Sequence, residues 1–224
     1  MKAIFFDFDG TLTYKSPNIW REIWKECGYS VASDSYYKKI YKEFLNKEIT
    51  YQRWCDLSLV EYQKAGFTKQ KLMTLASKIK LINGLSQTLI ALKEEGYSIH
   101  IVSGNISSVI KKALGRNAKY FDSISANEMT FFKNGKIKQI KGTEYDFEGK
   151  AKFIENFKEK TNSKCSELIF VGNSSNDEWA YLSGCKTICI NPEDTDSTNT
   201  NMWHFRKENV KTLTEILPFI NKEK

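Results

Sequence analysis

Two aspartates that follow a short apolar run are the first residues whose type and spacing could do chemistry. Residues 2–8 predict a buried strand, and Asp7 and Asp9 stand at its end, before a Gly-Thr turn. Side chains two positions apart on an extended chain point to the same side, so these carboxylates would crowd each other and the pKa of one would rise unless a cation lay between them. The pair suits one nucleophile and one proton donor. Two acids in a strand-end turn are the alternative.

A hydroxyl and a lysine could add an anion site to these carboxylates. Ser103 and Gly104 end a second predicted strand, and a hydroxyl followed by a glycine amide at a helix start can bind phosphate oxygens. Lys150 precedes a helix predicted over residues 151–160, where a positive charge is unfavourable by roughly 0.3 to 1 kcal/mol unless an anion lies nearby. A serine helix cap and a solvated lysine are the respective alternatives.

A third turn supplies oxygen ligands for a metal. Asn173 and Asp177 stand four residues apart in Gly-Asn-Ser-Ser-Asn-Asp, which follows a predicted strand and opens a predicted helix. An amide oxygen and a carboxylate at this spacing could both face a hard cation, which prefers oxygen ligands. An Asn- and Ser-rich turn without a metal is the alternative.

The order of predicted elements places these turns at one edge of a sheet. Further buried strands are predicted over residues 97–102, 167–171 and 186–190. Between the strands lie helices that each end before a glycine, over residues 86–95, 107–114 and 176–183. This alternation predicts an α/β fold with a parallel sheet and helices on both faces, which binds ligands at the carboxyl ends of its strands. Asn134-Gly135 predicts a hairpin within residues 123–140.

Residues 14–81 interrupt this alternation with helices alone. Three apolar stripes at helical spacing follow one another, the first of them near Trp20. We therefore expect a small all-helical cap over residues 14–81, inserted into an α/β core that consists of residues 1–13 and 82–224.

The composition fits a folded core with an insertion. The chain has 224 residues, 41% of them hydrophobic, and its apolar runs are far shorter than the ~20 residues of a membrane span. The apolar run near Met1 is too short for a secretory signal, which predicts a cytoplasmic protein.

The five cysteines lack Cys-x-x-Cys spacing and are interpreted as buried thiols. The net charge of +7 comes from scattered lysines, which predicts no nucleic acid and no membrane as partner, with a basic nucleic-acid binder as an alternative.

Taken in order, the three turns and Lys150 resemble the four motifs of the haloacid dehalogenase superfamily of phosphohydrolases, which are Asp-x-Asp-Gly-Thr, Ser, Lys and Gly-Asp-x-x-x-Asp. The resemblance covers nearly the whole chain. Residues 125–129 with Asn134-Gly135 behind them, and Gly149-Lys150, are similar to the phosphoserine-phosphatase-type branch, whose small helical cap enters after the first motif. The resemblance implies a Rossmann-like core with such a cap.

The resemblance also implies a role for each site residue. Asp7 would attack phosphorus to form an aspartyl-phosphate, while Asp9 would protonate the leaving alcohol and then activate water. Lys150 would neutralise Asp7 and the phosphoryl charge. The implied substrate-binding groups are Ser103, Gly104 and Asn176. The implied Mg²⁺ ligands are the Asp7 side chain, the Asp9 carbonyl and the fourth motif, with Asn173 and Asp177.

Two positions depart from the family pattern, and the cap leaves the substrate open. Asn173 stands where the family usually has an aspartate, so the implied magnesium site loses one negative charge. Ser16 stands where phosphoserine-specific relatives carry a glutamate, which argues against phosphoserine itself. In the cap, Arg53 could pair with a substrate carboxylate, with a solvated helix face as the alternative.

The sequence thus predicts a magnesium-dependent phosphatase that hydrolyses a small phosphorylated metabolite, as a monomer or homodimer. Two alternatives stay open. One is a phosphomutase of the same superfamily, and the other is a protein that binds a phosphorylated ligand with weakened turnover.

Overall fold

A seven-stranded sheet forms the centre of the fold. The computed structural model describes residues 1–14, 18–143, 145–193 and 200–221. The strands are β1 (Ala3–Phe6), β2 (Ser98–Ile106), β3 (Ser123–Phe131), β4 (Ile137–Lys141), β5 (Leu168–Gly172), β6 (Lys186–Ile190) and β7 (Phe205–Lys207). They lie in the order β4-β3-β2-β1-β5-β6-β7, and every neighbouring pair is parallel except β3 and β4.

The central position of β1 explains why the site residues meet. β1 lies between β2 and β5, with Phe6 opposite Ile101 on one side and Val171 on the other. The chain therefore leaves all three strands at the same edge, where parallel sheets bind their ligands. β2 continues past this edge, and its register to β3 breaks between Val102 and Ile106. The predicted phosphate-binding turn lies in this irregular stretch.

Helices cover both faces of the sheet. The described part of the chain contains α1 (Ile19–Glu26), α2 (Tyr36–Leu45), α3 (Tyr51–Lys64), α4 (Lys69–Ala76), α5 (Leu85–Glu94), α6 (Ser107–Leu114), α7 (Glu148–Thr161) and α8 (Leu217–Ile220). Ile4 packs with Leu89 of α5 and Ile110 of α6, whereas Phe5 packs with Ile154 of α7 on the opposite face. Since successive strand residues point to opposite faces, this arrangement confirms the predicted α/β fold.

The helices α1 to α4 follow one another between β1 and α5. Each begins at a side-chain oxygen that accepts a hydrogen bond from the backbone three residues later, as the N-cap preference of Asn, Ser and Thr predicts; these caps are Asn18, Ser35, Thr50 and Thr68. Their aromatic core continues onto the β3–β4 hairpin through Met129, Ile137 and Ile140. An antiparallel bridge between Thr13 and Leu81 joins the segment that follows β1 to the segment that precedes α5. The division at residues 14–81 stays a prediction.

Several local predictions differ from the structure. The segment before Gly184 is a 3₁₀-helix, Glu178–Ser183, rather than an α-helix from residue 176, because the Asp177 carboxylate binds the backbone of the preceding turn. α7 begins at Glu148, so Lys150 lies in its first turn. α2 and β7 were not predicted, and β7 has only three residues. All five cysteines are free thiols, as predicted, but only Cys55, Cys185 and Cys189 are buried, whereas Cys27 and Cys165 are partly exposed. Within the described residues, no helix is both long and apolar enough to cross a membrane.

Candidate active site

A buried lysine lies at the centre of the site. Lys150 Nζ is fully buried and lies 3.1 Å from Asp7 Oδ1 and 3.7 Å from Asp146 Oδ1. It also donates a hydrogen bond to Asp177 Oδ1. β1 positions Asp7, α7 positions the lysine, and the turn after β5 positions Asp177. Three carboxylates from three parts of the chain thus share one ammonium group.

Burial and charge act in opposite directions on this cluster. Burial by itself lowers the pKa of Lys150, but attraction to Asp177, Asp7 and Asp146 outweighs it and raises the pKa above its usual value. Burial raises the pKa of Asp7 well above its usual range, although Lys150 opposes this rise. A buried carboxylate is stable as an anion only with enough positive charge beside it. A further cation would therefore stabilise Asp7.

Asp9 is held by an amide that the sequence analysis did not assign to the site. The side-chain NH₂ of Asn105 donates to both carboxylate oxygens of Asp9, at 3.0 and 2.8 Å. Burial raises the pKa of Asp9 to about 7, although the hydrogen bond from Asn105 lowers it. Asp9 still keeps some exposure, because it lines a cavity of about 670 Å³. A carboxyl group with a pKa near neutrality can both donate and accept a proton.

Asp177 closes the turn that follows β5. Its Oδ2 accepts hydrogen bonds from the backbone N–H groups of Asn173, at 2.9 Å, and Ser174, at 3.0 Å. Its Oδ1 accepts from Lys150. Both oxygens thus accept hydrogen bonds from the chain itself, and the implied role of Asp177 as a metal ligand stays a prediction.

Asn173 reaches the turn that follows β1. Thr11 Oγ1 donates to Asn173 Oδ1 at 3.3 Å, and a Cβ atom on Gly10 would lie 2.2 Å from Asn173 Nδ2. Gly10, with φ of 74°, is therefore the residue that permits this close approach. Among the described residues, no three acidic, histidine or cysteine side chains form a group that could hold a metal ion by themselves. A metal here would depend on amide or backbone oxygens as well.

Hydrogen bonds from α1 and from β3 fix the turn at Ser103 and Gly104. Ser103 Oγ accepts a hydrogen bond from the backbone N–H of Asn105 at 3.2 Å. The Gly104 carbonyl accepts from Trp20 Nε1 of α1 at 2.9 Å and from Asn127 Nδ2 of β3 at 2.6 Å. These donors fix the peptide plane next to the predicted phosphate-binding amide.

Asn127 joins this turn to two further elements. Its fully buried amide group also donates to Tyr51 Oη of α3 at 2.8 Å, and its oxygen accepts from the backbone N–H of Thr143 at 2.9 Å. Asn127 lies in the stretch that resembles the phosphatase branch, so a sequence signal existed, but the contacts did not follow from it.

Asp146 is a carboxylate that the sequence analysis missed. Its Oδ1 accepts a hydrogen bond from Asn176 Nδ2 at 2.7 Å, and the same oxygen faces Lys150. Asp146 lies outside α7, which begins at Glu148, so no helical spacing links it to Lys150. No local pattern in the sequence marks this contact.

The structure brings together all but one of the predicted site residues. Those that meet are Asp7, Asp9, Ser103, Gly104, Lys150, Asn173, Asn176 and Asp177. Arg53 lies apart, exposed on α3, and is not among the described residues that line the cavity beside Asp9. Its contact with substrate stays a prediction. Ser16 lies outside the described residues.

Solved structures of other proteins share this architecture. A phospho-aspartyl intermediate analogue of phosphoserine phosphatase superposes with a TM-score of 0.74, at 22% identity, over 98% of this chain and 99% of that one. A haloacid dehalogenase family hydrolase from Salmonella enterica superposes with a TM-score of 0.77, at 18% identity, over 99% of this chain and 72% of that one. Both likenesses show the fold.

The sequence comparisons identify the family. Phosphoserine phosphatase from Archaeoglobus fulgidus is 29% identical over 180 residues, which are 79% of this chain and 48% of that protein. This chain thus spans about half the length of that curated relative. The model of the haloacid dehalogenase-like hydrolases matches residues 1–181. The chain therefore belongs to the haloacid dehalogenase-like hydrolase family.

Proposed function

We propose that this protein is a phosphatase that hydrolyses a small phosphorylated metabolite through an aspartyl-phosphate on Asp7. The observation that carries the proposal is the fully buried Lys150, whose ammonium group contacts both Asp7 and Asp177. A phosphate ester dianion approaches a carboxylate only where positive charge offsets their repulsion. Membership of the family and the likeness to a phosphoserine phosphatase support the same reaction class.

Asp7 and Asp9 divide the two chemical steps. In the first step, a carboxylate oxygen of Asp7 bonds to phosphorus, the ester P–O bond breaks, and Asp9 gives its proton to the leaving oxygen. In the second, Asp9 takes a proton from water, the water oxygen bonds to phosphorus, and the bond from Asp7 to phosphorus breaks. A pKa of about 7 suits Asp9 to both transfers near neutral pH.

Four groups of the site are hydrogen-bond donors that could bind an anion. The Ser103 hydroxyl, the Gly104 amide N–H, the Lys150 ammonium and the Asn176 side-chain NH₂ form what we call the phosphate pocket. Hydrogen bonds from charged and neutral donors are strongest to an ionised acceptor. We therefore assign the phosphoryl oxygens of the substrate to this pocket.

The oxygen donors beside Asp7 fit Mg²⁺. The Asp7 side chain, the Asp9 carbonyl and the Asn173 amide oxygen would hold the ion, and Asp177 would join them if one of its oxygens gave up a hydrogen bond within the chain. Burial leaves Asp7 with a raised pKa, so the carboxylate gains stability from a second cation. When bound, Mg²⁺ supplies positive charge that offsets the charge of the phosphoryl group. Asn173 makes this set one negative charge weaker than the family pattern.

The proposal assigns the phosphoryl group of the substrate but not the rest of the molecule. Phosphoserine is the substrate that the relatives' names carry, but Ser16 replaces the glutamate of phosphoserine-specific relatives. A phosphomutase would return the phosphoryl group to a sugar, and release of inorganic phosphate separates it from a phosphatase. A ligand-binding protein with weakened turnover, the alternative that Asn173 raises, would release little or no inorganic phosphate.

The test is phosphate release by the purified protein with Mg²⁺, from p-nitrophenyl phosphate and a panel of small phosphomonoesters. We expect release by the unaltered chain and a loss of at least about a thousandfold in Asp7→Asn, because the nucleophile is removed. Asp34→Asn makes the same change at an exposed position and should retain full activity. Failure of the unaltered chain to release phosphate from any substrate would refute the proposal.

A further inference from the structure

The proposed mechanism leaves one carboxylate of the site unused. Asp146 lies just before α7, and 24% of its side chain is exposed. Its Oδ1 accepts a hydrogen bond from Asn176 Nδ2 at 2.7 Å and lies 3.7 Å from Lys150 Nζ. Two of the four donors in the phosphate pocket are therefore already facing an anion of the chain itself.

The other oxygen of Asp146 lies against a third member of the pocket. A Cβ atom on Gly104 would lie 2.0 Å from Asp146 Oδ2 and 2.6 Å from its Cγ. A side chain at this position would therefore require the Asp146 carboxylate to move. Asp146 thus faces Lys150 and Asn176 and lies beside Gly104, next to the amide that the proposed mechanism assigns to phosphoryl oxygens.

We propose that the Asp146 carboxylate is an internal competitor that occupies the phosphate pocket and must be displaced when a phosphoryl group binds. This inference rests on the proposed function, because it takes the pocket to be the phosphate site. Displacement needs a route out, and the partly exposed side chain has one toward the solvent. A competitor of this kind lowers the apparent affinity by the fraction of molecules in which the pocket is empty.

The charges of the site explain why both anions would not stay. Asp7 and Asp177 already contact Lys150, and Asp146 adds a third carboxylate to one ammonium group. Burial raises the pKa of Asp146, and repulsion from Asp177 adds to this, while Lys150 lowers it. A phosphoryl dianion carries more charge than a carboxylate and makes more hydrogen bonds to the same donors. It would therefore replace Asp146 rather than bind beside it.

The experiment measures the affinity for inorganic phosphate by titration calorimetry, in the presence of Mg²⁺ and without turnover. We expect Asp146→Asn to bind phosphate about tenfold more tightly than the unaltered chain, as for a pocket that is filled about nine-tenths of the time. Asp146→Ala, which removes the amide that could still contact Asn176, should bind at least as tightly. With a phosphomonoester, KM should fall in both variants by a similar factor.

The matched control is Glu148→Gln, which changes a carboxylate two residues away that pairs with Lys47 at the surface, at 3.5 Å. Its phosphate affinity should equal that of the unaltered chain. Equal or weaker binding in both Asp146 variants overturns the inference, and weaker binding would instead make Asp146 a residue that positions Lys150 and Asn176. The absence of binding in both variants overturns it as well. The proposed function is judged separately, by phosphate release and its loss in Asp7→Asn.

Discussion

At the scale of residues, the carboxylates of the site together carry more negative charge than the single Lys150 ammonium group offsets. Burial raises the pKa of Asp7, Asp9 and Asp146, although each of them is also attracted to Lys150. Each raised pKa means that the folded state holds the proton more tightly than the unfolded chain does. The site is thus stabilised by protons or by cations, and two variants test this electrostatic balance.

The first prediction concerns the stability of Asp9→Asn without metal. An aspartate in the unfolded chain has a pKa near 3.9, whereas Asp9 in the fold has a pKa of about 7. Ionisation of Asp9 therefore destabilises the fold progressively as the pH rises from about 4 to about 7. Asn105 would still hydrogen-bond the new amide. We expect the melting temperature of Asp9→Asn, relative to the unaltered chain, to increase across this window and to level off above it.

Thermal unfolding in EDTA across this pH series measures the difference. Asp34→Asn, at an exposed position, should follow the unaltered chain at every pH. A difference between Asp9→Asn and the unaltered chain that does not vary with pH would show that Asp9 has an ordinary pKa in the fold.

The second prediction concerns the charge missing at Asn173. Asn173→Asp would give the proposed magnesium site one more carboxylate, and ligand charge is a main determinant of affinity for such ions. We expect the Mg²⁺ concentration for half-maximal activity to fall several-fold, and the Mg²⁺-induced rise in melting temperature to occur at lower concentration. Asn134→Asp, in the exposed turn of the β3–β4 hairpin, adds the same charge far from the site and should change neither value. An unchanged or higher Mg²⁺ requirement in Asn173→Asp would contradict this assignment.

At the scale of elements, β3 links α3 to the turn of Ser103 and Gly104. Asn127 donates to Gly104 and Asn105 carbonyls and to Tyr51 of α3, and it accepts from Thr143 in the segment that leads to α7. A buried amide with this many partners fixes the relative positions of the elements around it. Its removal leaves buried polar groups unpaired, which destabilises a fold by about 1–3 kcal/mol for each such group.

The third prediction separates these links. We expect Asn127→Ala to lower kcat/KM by about a hundredfold, because a small displacement of catalytic groups has an effect of this size. Tyr51→Phe removes only the hydroxyl that links the cap to Asn127, so it should lower kcat/KM far less. Steady-state kinetics and denaturant unfolding of both variants provide the measurement. Equal losses in the two variants would show that the link to the cap, rather than the link to Gly104, supports activity.

At the scale of the whole molecule, the sequence predicts the sheet and the positions of the four motifs because these depend on local patterns. Buried strands, glycines that end helices and the Asn134-Gly135 turn are all readable within about ten residues. The contact of Asn105 with Asp9 joins residues 96 apart, and that of Asn127 with Gly104 joins residues 23 apart. No local period marks such pairs. They depend on the strand order and on the broken register of β2, which only the fold shows.

The last prediction concerns whether the cap folds apart from the sheet. The aromatic core of α1 to α4 includes Met129, Ile137 and Ile140 of the hairpin, so the two regions share buried surface. Ile140→Ala should lower the free energy of unfolding by about 2–5 kcal/mol, the usual range for a fully buried isoleucine. Val60→Ala shortens an exposed side chain on α3 and should have little effect. Because the core is shared, far-UV circular dichroism and tryptophan fluorescence should give the same midpoint as each other within each of the three proteins, and this common midpoint should be lower in Ile140→Ala. Two separate midpoints would show that residues 14–81 unfold as an independent unit.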